Sequence, residues 1–145
     1  MRINNSDFDY RKIKTFEDAC KKINIDPYKL PDVSFILEKY RKSIIAGYKL
    51  RIIYEAINNG WIPDWQNKNQ WKYYPWFIVS PTGLTFLRIG TGVDFTHTSI
   101  ATFLCTDISG KARYIASQFY NEYQEYLLCF NSSKNIEPAF SSIKE

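Results

Sequence analysis

All four tryptophans of this 145-residue chain lie in one segment, NGWIPDWQNKNQWKYYPWF, at residues 59–77. The segment opens on Asn59-Gly60, a pair that favours the end of a helix, and it closes on aromatic residues that favour a strand. A segment that joins a helix to a strand must pack part of its aromatic surface if the fold is to close. We therefore expect Trp61, Trp76 and Phe77 to be structural.

The stretch before this segment has the clearest helical periodicity in the chain. Asp32 or Ser34 can cap the start of this helix, and Asn59-Gly60 supplies its end. Arg41 falls at the centre of the apolar face, so we expect it to be paired, to extend its charged end to solvent, or to face a ligand. The apolar residues that recur at a spacing of three to four are Ile45, Tyr48, Ile52 and Ala56.

A short helix is predicted near the N-terminus. Thr15 can cap it, Asp18 completes a variant of the capping box, and the helix should end near Asp26-Pro27. A second long helix is predicted after Ser109, which is expected to be its cap, over GKARYIASQFYNEYQEYLLCF.

Two β-rich runs flank the turn SPTG at residues 80–83 and predict a hairpin. Pro75 cannot donate a ladder hydrogen bond, so the first strand should lie at a sheet edge or begin at Trp76. IATFLCT, residues 100–106, is a candidate third strand.

Together these elements predict an α+β fold, with two long helices and a short N-terminal helix packed on a small antiparallel sheet of about three strands. Residues 1–14 are expected to be irregular, and residues 15–130 to form a single domain. Residues 131–145 lack periodicity and are expected to be a mobile or surface-bound tail.

Composition narrows the partners and the location. A net charge of +4 favours anionic partners weakly, and no run of basic residues forms a nucleic-acid-binding arm. The start of the chain has no apolar leader and no apolar run of about 18 residues occurs, so we expect a cytoplasmic protein that does not enter a membrane. Three cysteines without ligand spacing and one histidine predict neither a metal site nor a cofactor.

Catalytic motifs are sparse. His97, the only histidine, lies among hydroxyl residues in DFTHTS without a nucleophile motif. Asp64, between Pro63 and Trp65, would have a raised pKa between aromatic walls, although aspartate after proline is also typical of a turn. Gly90-Thr91-Gly92 lacks the residues of a phosphate-binding loop and is more typical of a loop reversal, although its backbone groups beside Arg88 could hold a phosphate. We therefore expect no catalytic residues and no enzymatic activity.

The aromatic segment is the best binding candidate. Flat rings interleaved with cations and amides suit a nucleobase and its phosphates, since a stacked base contributes about 1–3 kcal/mol. The predicted ligand-binding residues are Trp65, Lys68, Trp71, Lys72, Tyr73, Arg88 and Arg41.

Four stretches, FEDACKKINIDP, AGYKLRIIYEAINNGWIPDW, KYYPWF and ARYIASQFYNEYQEYL, resemble a family of small proteins found in Bacteroidales phages and their prophages. The resemblance covers roughly residues 15–127 and implies a phage context without implying a reaction. The family has basic residues in the turn before the last helix, where this chain has Phe103 and Asp107. An anion-binding role for that turn is therefore not expected.

Four functional hypotheses follow. The first is a non-enzymatic protein that captures a small anionic nucleotide-type ligand, such as a nucleotide immune signal of the host. Such sites often form between subunits, so a homo-oligomer is among the expected partners. The alternatives are a structural or protein-interaction module in a virion or in host takeover, a single-stranded nucleic-acid-binding accessory, and a small hydrolase using His97 or Asp64.

Overall fold

The computed structural model describes residues 7–92 and 103–128 as an α+β arrangement, which confirms the predicted fold class. The described part of the sheet has two strands, where about three were expected. The predicted tail, residues 131–145, and His97 lie outside the described residues. The elements are a 3-10 helix (Tyr10–Lys12), α1 (Phe16–Ile23), α2 (Glu38–Asn58), β1 (Lys72–Ser80), β2 (Gly83–Gly92), α3 (Ser109–Gln118) and α4 (Tyr120–Leu127).

Helix α1 begins at the predicted capping box. The side chain of Thr15 accepts from the backbone N–H of Asp18 at 3.1 Å, and the Asp18 carboxylate accepts from the backbone N–H of Thr15 at 3.1 Å. A further bond from the backbone N–H of Lys14 to this carboxylate is the main cause of a lowered pKa at Asp18. Asn24, in the left-handed region at φ 58°, ends the helix three residues before Pro27.

Helix α2 ends where the sequence predicts and begins later. Asn59, at φ 47°, is its C-cap, and Gly60 follows at φ 89°. The predicted N-cap is wrong, because the helix starts at Glu38 after Leu37, which makes no side-chain cap. The carboxylate of Asp32 accepts from the backbone N–H of Ser34 at 2.9 Å, which closes a local turn instead of a helix.

The hairpin has the predicted turn and one β-bulge. Trp76 pairs with Arg88 but the next residue, Phe77, pairs with Phe86, so Leu87 is the extra residue of the bulge. Phe77 turns towards the helices, with its ring centroid 4.8 Å from that of Tyr123. Trp76 is 39% exposed, so the expectation that it packs in the core is wrong.

Strand β1 begins at Lys72 and contains Pro75, so the prediction that it begins at Trp76 is wrong. On the edge away from β2, Tyr73 exchanges two backbone hydrogen bonds with Thr106, at 3.0 and 2.9 Å. The backbone groups of alternate residues in a strand face the same edge, so the nitrogen of Pro75 also faces the edge away from β2. This agrees with the other predicted alternative, in which the strand lies at a sheet edge. The predicted third strand, residues 100–106, thus pairs with β1 through Thr106. Residues 100–102 of that prediction lie outside the described residues.

The last helix was expected to be continuous and capped by Ser109, and both expectations are wrong. Ile108 is the N-cap, and the chain breaks at Phe119, where φ is −110° and ψ is 33°. Phe119 is buried against Tyr114 in an edge-on contact at 6.3 Å. The break lets α3 pack against the hairpin while α4 packs against α2.

Long-range hydrogen bonds tie this core together. Tyr54 on α2 and Tyr123 on α4 are both buried, and their hydroxyls bond to each other. The expectation that residues 7–14 are irregular omits the 3-10 helix at Tyr10–Lys12, and this segment is held to α3. The Tyr114 hydroxyl donates to the Ile13 carbonyl at 2.6 Å, and the Gln118 amide donates to the Lys14 carbonyl at 2.9 Å.

Candidate functional site

A cleft of about 590 Å³ opens where the end of α1 meets the end of α2 and the turn that follows it. We call it the α1–α2 cleft. Its volume lies in the range of about 300–1,000 Å³ that is typical of small-molecule sites. Its lining residues are Lys22, Ile23, Arg51, Glu55, Ala56, Asn58, Asn59, Gly60, Trp61, Ile62, Pro63 and Phe103.

The end of α2 shapes one wall of the cleft. Asn59 and Gly60 both adopt positive φ, which turns the chain back sharply after the helix. The backbone N–H of Trp61 then donates to the carbonyl of Asn58 at 3.0 Å, which holds the turn closed. Trp61 is half-buried at this turn, so its ring contributes to the wall while part of it stays accessible.

Cations and aromatic rings meet in the cleft. The Arg51 guanidinium lies over the Phe103 ring, 4.3 Å from its centroid, and donates to the Gly47 carbonyl at 2.8 Å. The ammonium of Lys22 lies 4.2 Å from the centroid of Phe8. A guanidinium has five N–H donors, so Arg51 can hold its ring and carbonyl contacts and still bind an anion.

One carboxylate accompanies these cations. Glu55 lies one helical turn after Arg51 on α2, and both side chains line the cleft. With Lys22 and Arg51 positive and Glu55 negative, the ionisable side chains of the lining sum to +1. The cleft therefore suits a ligand of low negative charge better than a polyphosphate.

Asn58, the last residue of α2, is the buried polar residue of the cleft wall. Its Nδ2 donates to the Cys105 carbonyl at 2.9 Å, across the floor between α2 and the segment before α3. Its Oδ1 is buried and has no hydrogen-bond partner among residues 7–92 and 103–128. A buried polar group left unpaired costs about 1–3 kcal/mol, so this atom stands out among the buried side-chain nitrogens and oxygens of the described residues.

Lys72, which was expected to face a ligand, is fully buried. Its ammonium donates to the carbonyls of Asn67 and Gln70, at 3.3 and 2.9 Å, and lies 5.2 Å from the ring centroid of Trp65. The structure thus brings two predicted site residues, Trp65 and Lys72, together. Their contact holds the loop over residues 65–71 against the start of β1.

Three more predicted residues spread around this loop. Lys68 and Trp71 are exposed, with Trp71 54% accessible, whereas Tyr73 is half-buried and bridges to Thr106 through its backbone. Trp71 is therefore the most accessible ring among the predicted ligand contacts.

Arg88 and Arg41 lie apart from the loop. The Arg88 guanidinium is 4.8 Å from the ring centroid of its cross-strand neighbour Trp76. Arg41 donates to the carbonyls of Ile36 and Ser34, at 2.8 and 3.0 Å, so it closes the segment before α2. It stands 17 residues before Asn58, about 25 Å along the helix axis from the end of α2.

None of the seven predicted residues lines the α1–α2 cleft, and their contact with a ligand stays a prediction. The residues that do converge were missed, namely Lys22, Arg51, Asn58 and Phe103. One usable signal was present, because Arg51, Glu55 and Asn58 recur at helical spacing just before the Asn59-Gly60 stop.

A second, apolar cleft of about 440 Å³ lies between β1 and α4. It has no charged side chain in its lining, which is Tyr74, Pro75, Trp76, Phe77, Val79, Leu84, Leu104, Tyr123, Tyr126 and Leu127. Its surface is suited to apolar contact, and its lining offers no cation to an anionic ligand.

Within residues 7–92 and 103–128, no helix is long and apolar enough to cross a membrane. The same residues contain no group of three or more histidine, cysteine or acidic side chains placed to hold a metal ion. Cys20 and Cys105 are buried, and burial raises the pKa of the Cys105 thiol to about 12.

The described fold is an α+β arrangement of four helices and a hairpin, with one charged and one apolar cleft. Comparison of the chain with protein-family models, with curated proteins and with solved structures finds no match. The function is therefore argued from the residues of the α1–α2 cleft.

Proposed function

We propose that this protein binds a small anionic ligand of the nucleotide type in the α1–α2 cleft and holds it without chemical change. The observation that supports this most directly is the stacking of the Arg51 guanidinium on Phe103, in a cleft that Trp61 and Lys22 also line. A nucleotide needs a flat apolar contact for its base and a cation for its phosphate, and this cleft offers both.

Each lining residue has a role in this proposal. The base stacks on Trp61 or on the Phe103 ring, and the phosphate accepts from Arg51, which can bind two oxygens at once. Lys22 adds a second positive charge at the end of α1. Glu55 can accept from a sugar hydroxyl, the part that an acidic residue plays in many dinucleotide sites.

The proposal retains the ligand class expected from the sequence and moves its site. Its biological counterpart is sequestration, in which one protein molecule removes one signalling nucleotide from solution. The resemblance to phage proteins supports that setting. Sequestration depends on the affinity of the cleft and on the amount of protein, and the ligand should be recovered intact.

Titration calorimetry at about 50 mM salt tests the proposal with nucleoside monophosphates, and with cyclic mononucleotides and dinucleotides as further ligands. Arg51→Met removes the charge and retains an unbranched apolar side chain. A lost charge-assisted bond costs about 1.5–3 kcal/mol, so the affinity should fall by about 10-fold to 150-fold. Arg113→Met is the matched control, because Arg113 also lies over a phenylalanine, Phe86 at 5.7 Å, outside the cleft lining.

The outcomes separate three failures. If no nucleotide binds saturably, the ligand class is wrong. If a nucleotide binds and Arg51→Met binds it as tightly as the unchanged protein does, the site is wrong. If mass spectrometry recovers a cleaved or transferred product after incubation, the protein is an enzyme and capture is the wrong mechanism.

A further inference from the structure

The unpaired carbonyl of Asn58 identifies a feature of the ligand. In residues 7–92 and 103–128, Asn58 Oδ1 is the one buried side-chain nitrogen or oxygen that lacks a hydrogen-bond partner. The residue is 6% exposed and lines the α1–α2 cleft. The unpaired atom and the proposed binding site thus coincide in one side chain.

The orientation of the amide follows from its other contact. Nδ2 lies 2.9 Å from the carbonyl oxygen of Cys105, and only the amide nitrogen can donate there. Rotating the amide by half a turn would place two acceptors against each other. The atom left for a ligand is therefore a carbonyl oxygen, which accepts and cannot donate.

We infer that Asn58 Oδ1 accepts an N–H from the base of the ligand, and that the ligand carries an exocyclic amino group of the kind found in adenine and cytosine. This inference rests on the proposed function. A base edge that presents a carbonyl in place of the amino group sets two acceptors against each other. Asn58 is then the specificity-determining residue of the cleft, and Arg51 supplies affinity for the phosphate.

The burial of Oδ1 has a consequence for how the ligand enters. Less than 1 Å² of this atom is accessible, so the atoms that cover it must shift before a donor can reach it. Trp61 stands on a turn and is half-buried, which makes it a side chain that can shift without opening the core. We expect ligands with the amino group to quench tryptophan fluorescence more than those without it.

Two matched ligand pairs test the inference on the unchanged protein. Adenosine monophosphate is compared with purine riboside monophosphate, and cytidine monophosphate is compared with pyrimidin-2-one riboside monophosphate; the second member of each pair lacks only the amino group. In a pair that binds, the amino-bearing member should bind about 5-fold to 150-fold more tightly. Equal affinities within every pair that binds would overturn the role of Asn58 and leave the proposed function standing.

If none of the four nucleotides binds, both the inference and the proposed function are wrong. This result differs from equal binding within each pair, which overturns only the role of Asn58. Asn58→Ala should bring the two members of a pair to equal affinity, and persisting discrimination in this variant would overturn the inference. Asn121→Ala on the exposed face of α4 is the control and should retain the discrimination. Thermal unfolding of each variant reports whether it is folded, and the comparison of ligands on the unchanged protein needs no variant.

Discussion

Removing one hydroxyl from the Tyr54–Tyr123 pair should destabilise the protein more than removing both. The two side chains are 1% and 4% exposed, and their hydroxyls bond to each other between α2 and α4. Tyr54→Phe leaves the Tyr123 hydroxyl buried beside an apolar ring, and Tyr123→Phe does the same to Tyr54. The double variant leaves two phenylalanine rings and no unpaired hydroxyl.

The magnitude follows from the cost of an unpaired group. Each single variant should lower the free energy of unfolding by about 1–3 kcal/mol, because a buried hydroxyl has lost its partner. The double variant should lie within about 1 kcal/mol of the unchanged protein, since replacing both partners of a hydrogen bond is close to neutral. When the double variant is neutral, the coupling energy between the two sites equals the sum of the two single losses, about 2–6 kcal/mol.

Urea unfolding at neutral pH, followed by circular dichroism, measures all four proteins of this cycle. In a chain of this size each kcal/mol should shift the melting temperature by about 2–4 °C, which gives a second readout. Tyr28→Phe is the control, because Tyr28 is 89% exposed and should leave stability unchanged. If the double variant loses the sum of the two single losses, the hydroxyls do not depend on each other and the reasoning is refuted.

Three further outcomes are expected. Burial raises the pKa of Tyr54 and Tyr123 above 10, so above pH 10 these groups ionise in the unfolded chain before they ionise in the folded one. The free energy of unfolding should therefore fall above pH 10, by about 1.4 kcal/mol per pH unit for each tyrosine. Urea unfolding between pH 9 and 11 should show a shallower fall in the double phenylalanine variant, and equal slopes would contradict this. Thr15→Ala should lower the free energy of unfolding by about 0.5–2 kcal/mol, measured by thermal unfolding. Thr15→Ser should lower it less, because the serine hydroxyl retains the cap. Gly60→Ala should destabilise by about 1 kcal/mol, because φ there is 89° although the space beside it is open, and an unchanged melting temperature would exclude strain at this turn.

The parts of the fold that the sequence predicted depend on residues close together in the chain. The capping box at Thr15, the stop at Asn59-Gly60 and the turn at residues 80–83 each act within about four residues, so their chemistry can be read locally. The start of α2 was missed because Asp32 can serve a turn as well as a helix. The break at Phe119 was missed because α3 and α4 share one helical periodicity and differ only in what they pack against.

The candidate site was predicted less well because it is assembled from distant residues. Lys22, Arg51 and Phe103 come from three separate parts of the chain, and no spacing in the sequence brings them together. The same limit explains Lys72, whose position in the aromatic segment favours a cation that faces a ligand. Only the folded loop reveals that two carbonyls and the Trp65 ring enclose its ammonium.

The bonds that hold residues 13 and 14 to α3 have a consequence for how the protein emerges from the ribosome. These partners are 101 and 104 residues apart, so residues 13 and 14 wait for about a hundred further residues to be synthesised before they can dock. At about 5–20 residues per second this wait is roughly 5–20 seconds. Helices α1 and α2 can pair early, but the contacts of α3 form only after it has cleared the exit tunnel, so we expect closure of the core to be a late step of folding.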